Sequence, residues 1–362
     1  MPVSRLLTEG LADQVASAYV NAEVRLLQLM AQHLEAGADS PTWVEDKLAE
    51  LQVFRARARR IAAGARAEAA DAVADALTTA YLRGTAAGQG DAEALGVDLD
   101  TEPTHAERAV AALVKSAQDQ LADMELQVVR QAADAFRDAV LRASVGTITG
   151  AATRLQDAQV ALDDLARRGV AGFTDKAGRR WSLASYVEMA TRTTTAQASV
   201  MGHLDRLDQA GIPLVIVSDS TRECDVCAKW EGKVLSRGPV SALMPNAVTG
   251  AMERVRIDGT VEEATRAGLF HPNCTHNLSG YVPGATRRGA TSNPKGYAER
   301  QEQRRLERGV REWKRRQAVA ITPEAKAKSA AKVREWQGRL GEHTKASGLP
   351  RKRNRESLTA AR

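Results

Sequence analysis

The chain has 362 residues, 43% apolar and 27% charged, with aromatics at only 4% and three cysteines. The odd, small cysteine count excludes a disulfide-stapled secreted module, and the absence of any run near 18 apolar residues excludes a membrane span. The net charge of +6 is uneven: residues 287–362 hold 22 Lys/Arg against 8 Asp/Glu, a net of +14, which leaves −8 for residues 1–286.

Sparse aromatics and abundant alanine suit helices packed closely on small side chains. The start, Met1-Pro-Val-Ser-Arg-Leu-Leu, lacks the apolar segment of a signal peptide, so folding in a reducing compartment is expected. Residues 6–34 read as a helix, with Leu11, Val15, Tyr19, Ala22, Leu26 and Met30 near helical spacing and Gly37 closing it. Ser40-Pro41 starts a second helix that runs toward Leu82 with a weak point at Gly64. Its Arg55, Arg57, Arg59 and Arg60 are either an anion patch or, more ordinarily, a solvated face. The glycines from Gly84 to Gly90, continuing to Pro103, predict a loop. A third helix is expected over 104–143, a break at Gly146–Gly150, and a fourth helix over 151–168. Residues 1–170 thus form a helical region.

From Gly172 the character becomes mixed. Gly172–Trp181 reads as a hairpin, 183–209 as a helix and Pro213-Leu-Val-Ile-Val217 as a strand. A Cys-x-x-Cys turn at Cys224 and Cys227 leads to a strand at Lys233-Val-Leu235, then a short helix over 261–269. Hairpin, helix, strand, turn, strand, helix and a final strand make a small α+β domain over 172–285.

All three cysteines lie in this domain. Cys274 is flanked by His271 and His276 within Phe270-His-Pro-Asn-Cys-Thr-His276. Thiolate and imidazole are the ligands Zn²⁺ prefers, and a closed structural site needs four. Cys274 and His276, two apart on extended chain, leave the same face. The first-choice set is Cys224, Cys227, Cys274 and His276, with His271 as a supporting group or substitute, so that four of the five ligate a structural Zn²⁺. Competing readings are a redox Cys-x-x-Cys, buried small hydrophobes without metal, and a catalytic Cys274–His271 pair. The first lacks the βαβ context of thioredoxin-like motifs, and the last lacks a third group to orient the histidine.

Beyond Pro283-Gly284 come two charged helices with thin apolar stripes, Leu306, Val310 and Trp313 on one and Val333, Trp336 and Leu340 on the other. Stripes so thin need a partner surface. Leu349–Arg355 reads as a basic, disordered end. This tail, 287–362, is the third region.

Arg222-Glu-Cys-Asp-Val-Cys-Ala-Lys-Trp-Glu-Gly-Lys233 followed by Phe270-His-Pro-Asn-Cys-Thr-His276 resembles the tailed-phage minor capsid proteins of the minor capsid protein 2 group, themselves similar to phage Mu protein F-like head morphogenesis proteins. Those carry Trp-Gln-Gly-Lys-Val and His-Pro-Asn-Cys-Arg-His or His-Pro-Asn-Cys-Arg-Cys segments; here Glu231 replaces the glutamine and Thr275 the arginine. The resemblance covers most of the chain after about Thr174. It implies a structural head protein, present in a few copies inside the capsid near the portal, made in the host cytoplasm. Portal or major capsid protein and packaged DNA are the implied partners, with the 287–362 tail facing DNA without reading its sequence. Two alternatives stand beside it. An enzyme carried in the head, a transferase or protease, lacks any catalytic signature here. A zinc-dependent nucleic-acid-binding regulator would place its basic residues beside the metal, whereas here they lie in the tail. The expectation is therefore a non-enzyme.

Overall fold

The structure is a computed structural model that describes residues 8, 10–99, 106–149, 151–174, 178, 180–220, 224–271, 274, 276–286 and 294–358. It is mostly helical with a small sheet region. The helices are α1 (Asp13–Glu35), α2 (Trp43–Ala49), α3 (Leu51–Ala94), α4 (Ala106–Thr149), α5 (Arg154–Arg168), α6 (Leu183–Gln209), α7 (Val261–Arg266), α8 (Pro294–Ala318) and α9 (Pro323–Ser347). The strands are β1 (Gly172–Thr174), β2 (Arg180–Ser182), β3 (Leu214–Val217), β4 (Val234–Ser236), β5 (Leu243–Pro245), β6 (Met252–Arg254), β7 (Gly259–Thr260) and β8 (Leu278–Gly280).

The chain packs as two compact units. One comprises residues 1–12, 72–117 and 189–300; the other comprises 13–71, 118–188 and 301–362.

The second unit is an alanine-rich helical assembly. Phe54 of α3 stacks on Phe136 of α4 at 4.4 Å between ring centroids, with His33 of α1 edge-on to both. Leu26, Leu27, Met30, Leu34 and Leu162 are fully buried in the same unit. The charged tail belongs to this packing. Leu306 and Val310 of α8 meet Leu340 of α9, and Trp336 lies flat over Gly309, where any side chain would collide with its ring. Arg315 donates to the Ala166 carbonyl at the end of α5, and the Ile321 amide donates to Gln159. The partner surface that the thin stripes require is therefore within the chain. The expected disorder at Leu349–Arg355 is corrected too: Arg351 forks onto the buried Glu356 at 2.6 and 2.7 Å across a short turn, Arg353–Glu356. A bidentate guanidinium satisfies a buried carboxylate that would otherwise oppose folding.

The first unit is built on the remainder of α3, the remainder of α6 and a four-stranded sheet in the order β7-β4-β3-β8. β3 runs antiparallel to β4 and β8, and β4 parallel to β7. Along β3 the side chains alternate between two buried faces: Val215 and Val217 join Leu207, Ile212, Leu235, Ala264 and Leu278, while Leu214 and Ile216 join Val234, Val255 and Tyr281. A strand covered on both sides reads as an unbroken apolar run, as this one does. A separate ribbon, β5 with β6, was not foreseen. Its strands are three residues long and too exposed to alternate; its tip is set by Asn246, whose side-chain oxygen accepts from the Val248 and Thr249 amides.

The loop expected from Gly84 is instead helix to Ala94. Here α3 and α6 approach so closely that only glycine fits. A side chain at Gly84 would run into the Ser199 carbonyl, one at Gly202 into the Tyr81 carbonyl, and one at Gly88 would sit 2.7 Å from the His203 carbonyl. Glycine costs a helix about 1 kcal/mol; close interhelical packing offsets it. The same seam carries Tyr81 Oη donating to Asp205 at 2.8 Å and a fully buried His203 bonded to Asp91 at 3.0 Å, with Asp91 also accepting from the Gly280 amide of β8. The expected break after Ala143 is likewise corrected, since α4 continues through Gly146 to Thr149; one glycine weakens a helix without ending it. The helix expected from Ser40-Pro41 starts at Trp43 and is divided at Glu50 instead of weakening at Gly64.

Candidate metal centre

Two pieces of chain converge beyond the end of β3. The first is the excursion 218–232. It leaves and returns at one point, because the Val217 amide donates to the Lys233 carbonyl at 3.0 Å and the Gly232 amide to the Val217 carbonyl at 3.1 Å. At its tip the Cys224 carbonyl accepts from the amides of Cys227 and Ala228, so the Cys-x-x-Cys is a tight turn running into a 3-10 turn, Ala228–Trp230. The second piece follows α7, whose start is a capping box of Thr260 and Glu263. Gly268 at φ 104° and Phe270 at φ 61° reverse the chain after that helix. A left-handed φ at a bulky residue costs roughly 1–3 kcal/mol and marks a backbone held by its surroundings. Reciprocal bonds between Ser218 and Asn277, both 2.9 Å, then tie this piece back to the end of β3.

The side chains that result are Cys227, fully buried, His276, 5% exposed, and the half-buried Cys224, Cys274 and His271. Cys227 Sγ lies 3.5 Å from Cys274 Sγ, which lies 3.4 Å from His276 Nδ1; Cys224 Sγ lies 2.9 Å from His271 Nε2. The donors form two trios, Cys224 with Cys227 and His271, and Cys227 with Cys274 and His276, each with its ligand atoms within 4.8 Å of one another. Cys227 is common to both. All five sequence-derived candidates are thus brought to one place, in an arrangement that could hold a metal ion. Pro272, Asn273 and Thr275 of the same motif, like Arg222 and Glu223 of the other, lie outside the described residues.

The sequence profile of phage minor capsid protein 2 matches residues 6–345, nearly the whole chain. The chain belongs to the phage minor capsid protein 2 family. No curated protein and no solved structure matches it. The resemblance read from the cysteine and histidine motifs is borne out, and the match reaches further than those motifs did, through the N-terminal helices as well as the tail. A phage minor capsid protein is a component of the virion. Among the described residues no helix is long and apolar enough to cross a membrane.

In this minor capsid protein the residue that sequence reasoning passed over is Glu231. Its carboxylate lies 2.5 Å from His276 Nε2, both side chains are almost wholly enclosed, and it accepts from the Ser220 amide at 3.0 Å. Burial raises the Glu231 carboxyl despite the opposing pull of His276. His276 is pushed the other way by burial, but its contacts to Cys274 and Glu231 prevail and raise it. The contact between the two sulfurs, at 3.5 Å, and His276 hold Cys274 down to about 4 against burial; the same contact and burial raise Cys227. Cys224 is lowered, burial being outweighed by the Cys227 amide and His271. Adjacent thiolates repel, so a cation at their centre is what would let all of them ionise. The sequence signal for Glu231 was its place in Trp230-Glu-Gly232, between the Cys-x-x-Cys and β4, at the position where related motifs carry glutamine.

Proposed function

We propose that this chain is a structural, non-catalytic component of a tailed-phage head, docked near the portal on the inside of the capsid, knotted by Zn²⁺ and touching packaged DNA through its basic tail. The observation that carries the reading is the family profile over residues 6–345 together with the Cys/His cluster inside it. A Zn–S bond of about 2.3 Å sets the edges of a tetrahedral site at roughly 3.5–3.8 Å; the separations of 3.5 Å for Cys227–Cys274 and 3.4 Å for Cys274–His276 suit two such edges. Cys224, Cys227, Cys274 and His276 are the ligands, His276 through Nδ1, and His271 is the reserve donor beside Cys224. Bound zinc would hold the turn, the α7 return and the sheet together, which a sheet of two- to four-residue strands needs. A structural role also fits the acid–histidine pairs elsewhere: the buried His203–Asp91 pair joins α6 to α3, and His33–Glu50 ties α1 to the junction of α2 and α3.

Mass spectrometry of purified particles tests the placement. The chain is expected in low copy number with the portal and capsid proteins. Particles that lack it, or hold it only outside the head in a protease-accessible form, would overturn the reading.

Glu231 supplies a second test, since a carboxylate on the far nitrogen of a ligating histidine fixes its tautomer and is worth about 10–100-fold in metal affinity. In chelator competition with purified protein, Glu231→Leu is expected to bind zinc 10–100-fold more weakly. Glu231→Gln, whose amide oxygen still accepts the Nε2 proton, should stay near wild type. Equal affinity in all three would remove Glu231 from the site.

A further inference from the structure

Several surface arginines of the helical unit are paired. Arg66 meets Glu125 at 2.7 Å, Arg142 meets Asp138 at 3.0 Å, and Arg167 meets Asp164 at 2.7 Å. In the tail, Arg305 forks onto Glu302, Arg316 bonds Glu312, and Arg311 and Arg315 donate to backbone carbonyls. Part of the tail's positive charge is therefore engaged inside the fold.

One stretch gathers four arginines without such partners. Arg55, Arg57, Arg59 and Arg60 occupy the second and third turns of α3, the last three exposed and Arg55 half-buried, and none has a hydrogen-bond or ion-pair partner among the described residues. No carboxylate occurs on α3 between its start and Glu68. Glu50, just before the helix, is taken by His33 at 2.8 Å and Lys47 at 3.4 Å. Two effects oppose this arrangement in the isolated protein. Like charges three and four apart, Arg57 with Arg60 and Arg55 with Arg59, repel along the helix. Cations close to a helix N-terminus also face the positive end of its dipole.

We infer that the Arg55–Arg60 segment of α3 is a phosphate-contact surface for duplex DNA that acts without reading sequence. Around the helix the four guanidiniums fan across a wide arc. Exposed Ala56 between them, and exposed Gly64 and Ala67 one and two turns further on, keep the ridge low, and the space beyond Gly64 is open. A protein partner would need an apolar centre to its contact, and Val53 is the one large apolar side chain exposed on this stretch. A polyanion with charge spaced along two strands meets a fan of arginines without one. The choice of duplex DNA as that polyanion rests on the head-protein reading above.

The test uses the full chain in two variants that each remove three exposed cations of the same unit. One is Arg57→Ala with Arg59→Ala and Arg60→Ala; the other is Lys326→Ala with Lys328→Ala and Arg334→Ala. Binding to two unrelated duplexes of equal length is measured from about 50 to 200 mM salt, and thermal melts confirm that both variants fold. The α3 variant is expected to lose at least tenfold in affinity on both duplexes. Its salt slope should fall by about 2–3, close to 0.9 for each phosphate that is no longer neutralised. The tail variant should lose clearly less. Equal losses in the two would show that only net charge acts, and an unchanged α3 variant would free the segment from DNA; either overturns the inference. The particle analysis above can still succeed in both cases, so this failure is distinguishable from failure of the head-protein reading.

Discussion

Purified protein is expected to carry about one zinc ion per chain, and Cys227→Ser none. Cys227 is the sulfur common to both trios of donors and is wholly enclosed. Losing it leaves neither trio intact, whereas losing His271 would leave Cys227, Cys274 and His276 together. Serine offers a hydroxyl that stays protonated and is a poor ligand for a borderline-soft ion. The expected effect is large. Structural zinc contributes apparent binding free energies on the order of 10–16 kcal/mol, against a total stability of about 5–15 kcal/mol for a typical protein. Cys227 also packs with Val215, Val217, Leu235, Leu269 and Leu278. Release of the ion should therefore loosen the sheet itself, seen as a lower first melting transition and as new protease sensitivity between 218 and 276. Removal of metal from the wild type by a strong chelator should reproduce both. Metal-free wild-type protein, or a Cys227→Ser variant that melts like its parent, would end the zinc proposal.

The outcome at the cluster shows what a sequence can disclose. Metal-ligand chemistry is carried by residue type and short spacing, so Cys224, Cys227, Cys274, His271 and His276 could be gathered before any fold was known. Glu231 could not, because a carboxylate beside a tryptophan reads like any surface acid until His276 is seen against it. The helix at 183–209 and the strand at 214–217 were legible from apolar pattern and from their flanking turns. The β5–β6 ribbon was not, since three-residue strands give no period. In the tail, charge and a thin stripe look alike whether the helix faces solvent or a neighbour. Only the contacts of Trp336 with Gly309 and of Arg315 with Ala166 decide it. The glycines of α3 were misread for a related reason. Their purpose lies on α6, more than a hundred residues away, and in isolation a glycine-rich run spells loop.

That seam yields a prediction with opposite signs on one helix. Gly84→Ala is expected to lower stability by about 3 kcal/mol, the upper part of the range for overpacking, because the new methyl would meet the Ser199 backbone. A carbonyl within a helix cannot swing aside as a flexible side chain can. α6 as a whole would have to move, straining the Tyr81–Asp205 and His203–Asp91 bonds that cross the same contact. Gly202→Ala should cost about as much from the other side, where the obstacle is the Tyr81 carbonyl. The two together should cost less than their sum, since a seam opened by one substitution has room for the second. Gly64→Ala, on the same helix but facing open space, should instead raise stability by about 0.5–1 kcal/mol. Urea midpoints for the four variants decide the matter. A Gly84→Ala protein as stable as wild type would mean that α3 and α6 do not meet at this distance. A gain at both Gly64 and Gly84 would mean that residues 84–90 act as ordinary exposed helix, and that the glycines there have no packing role.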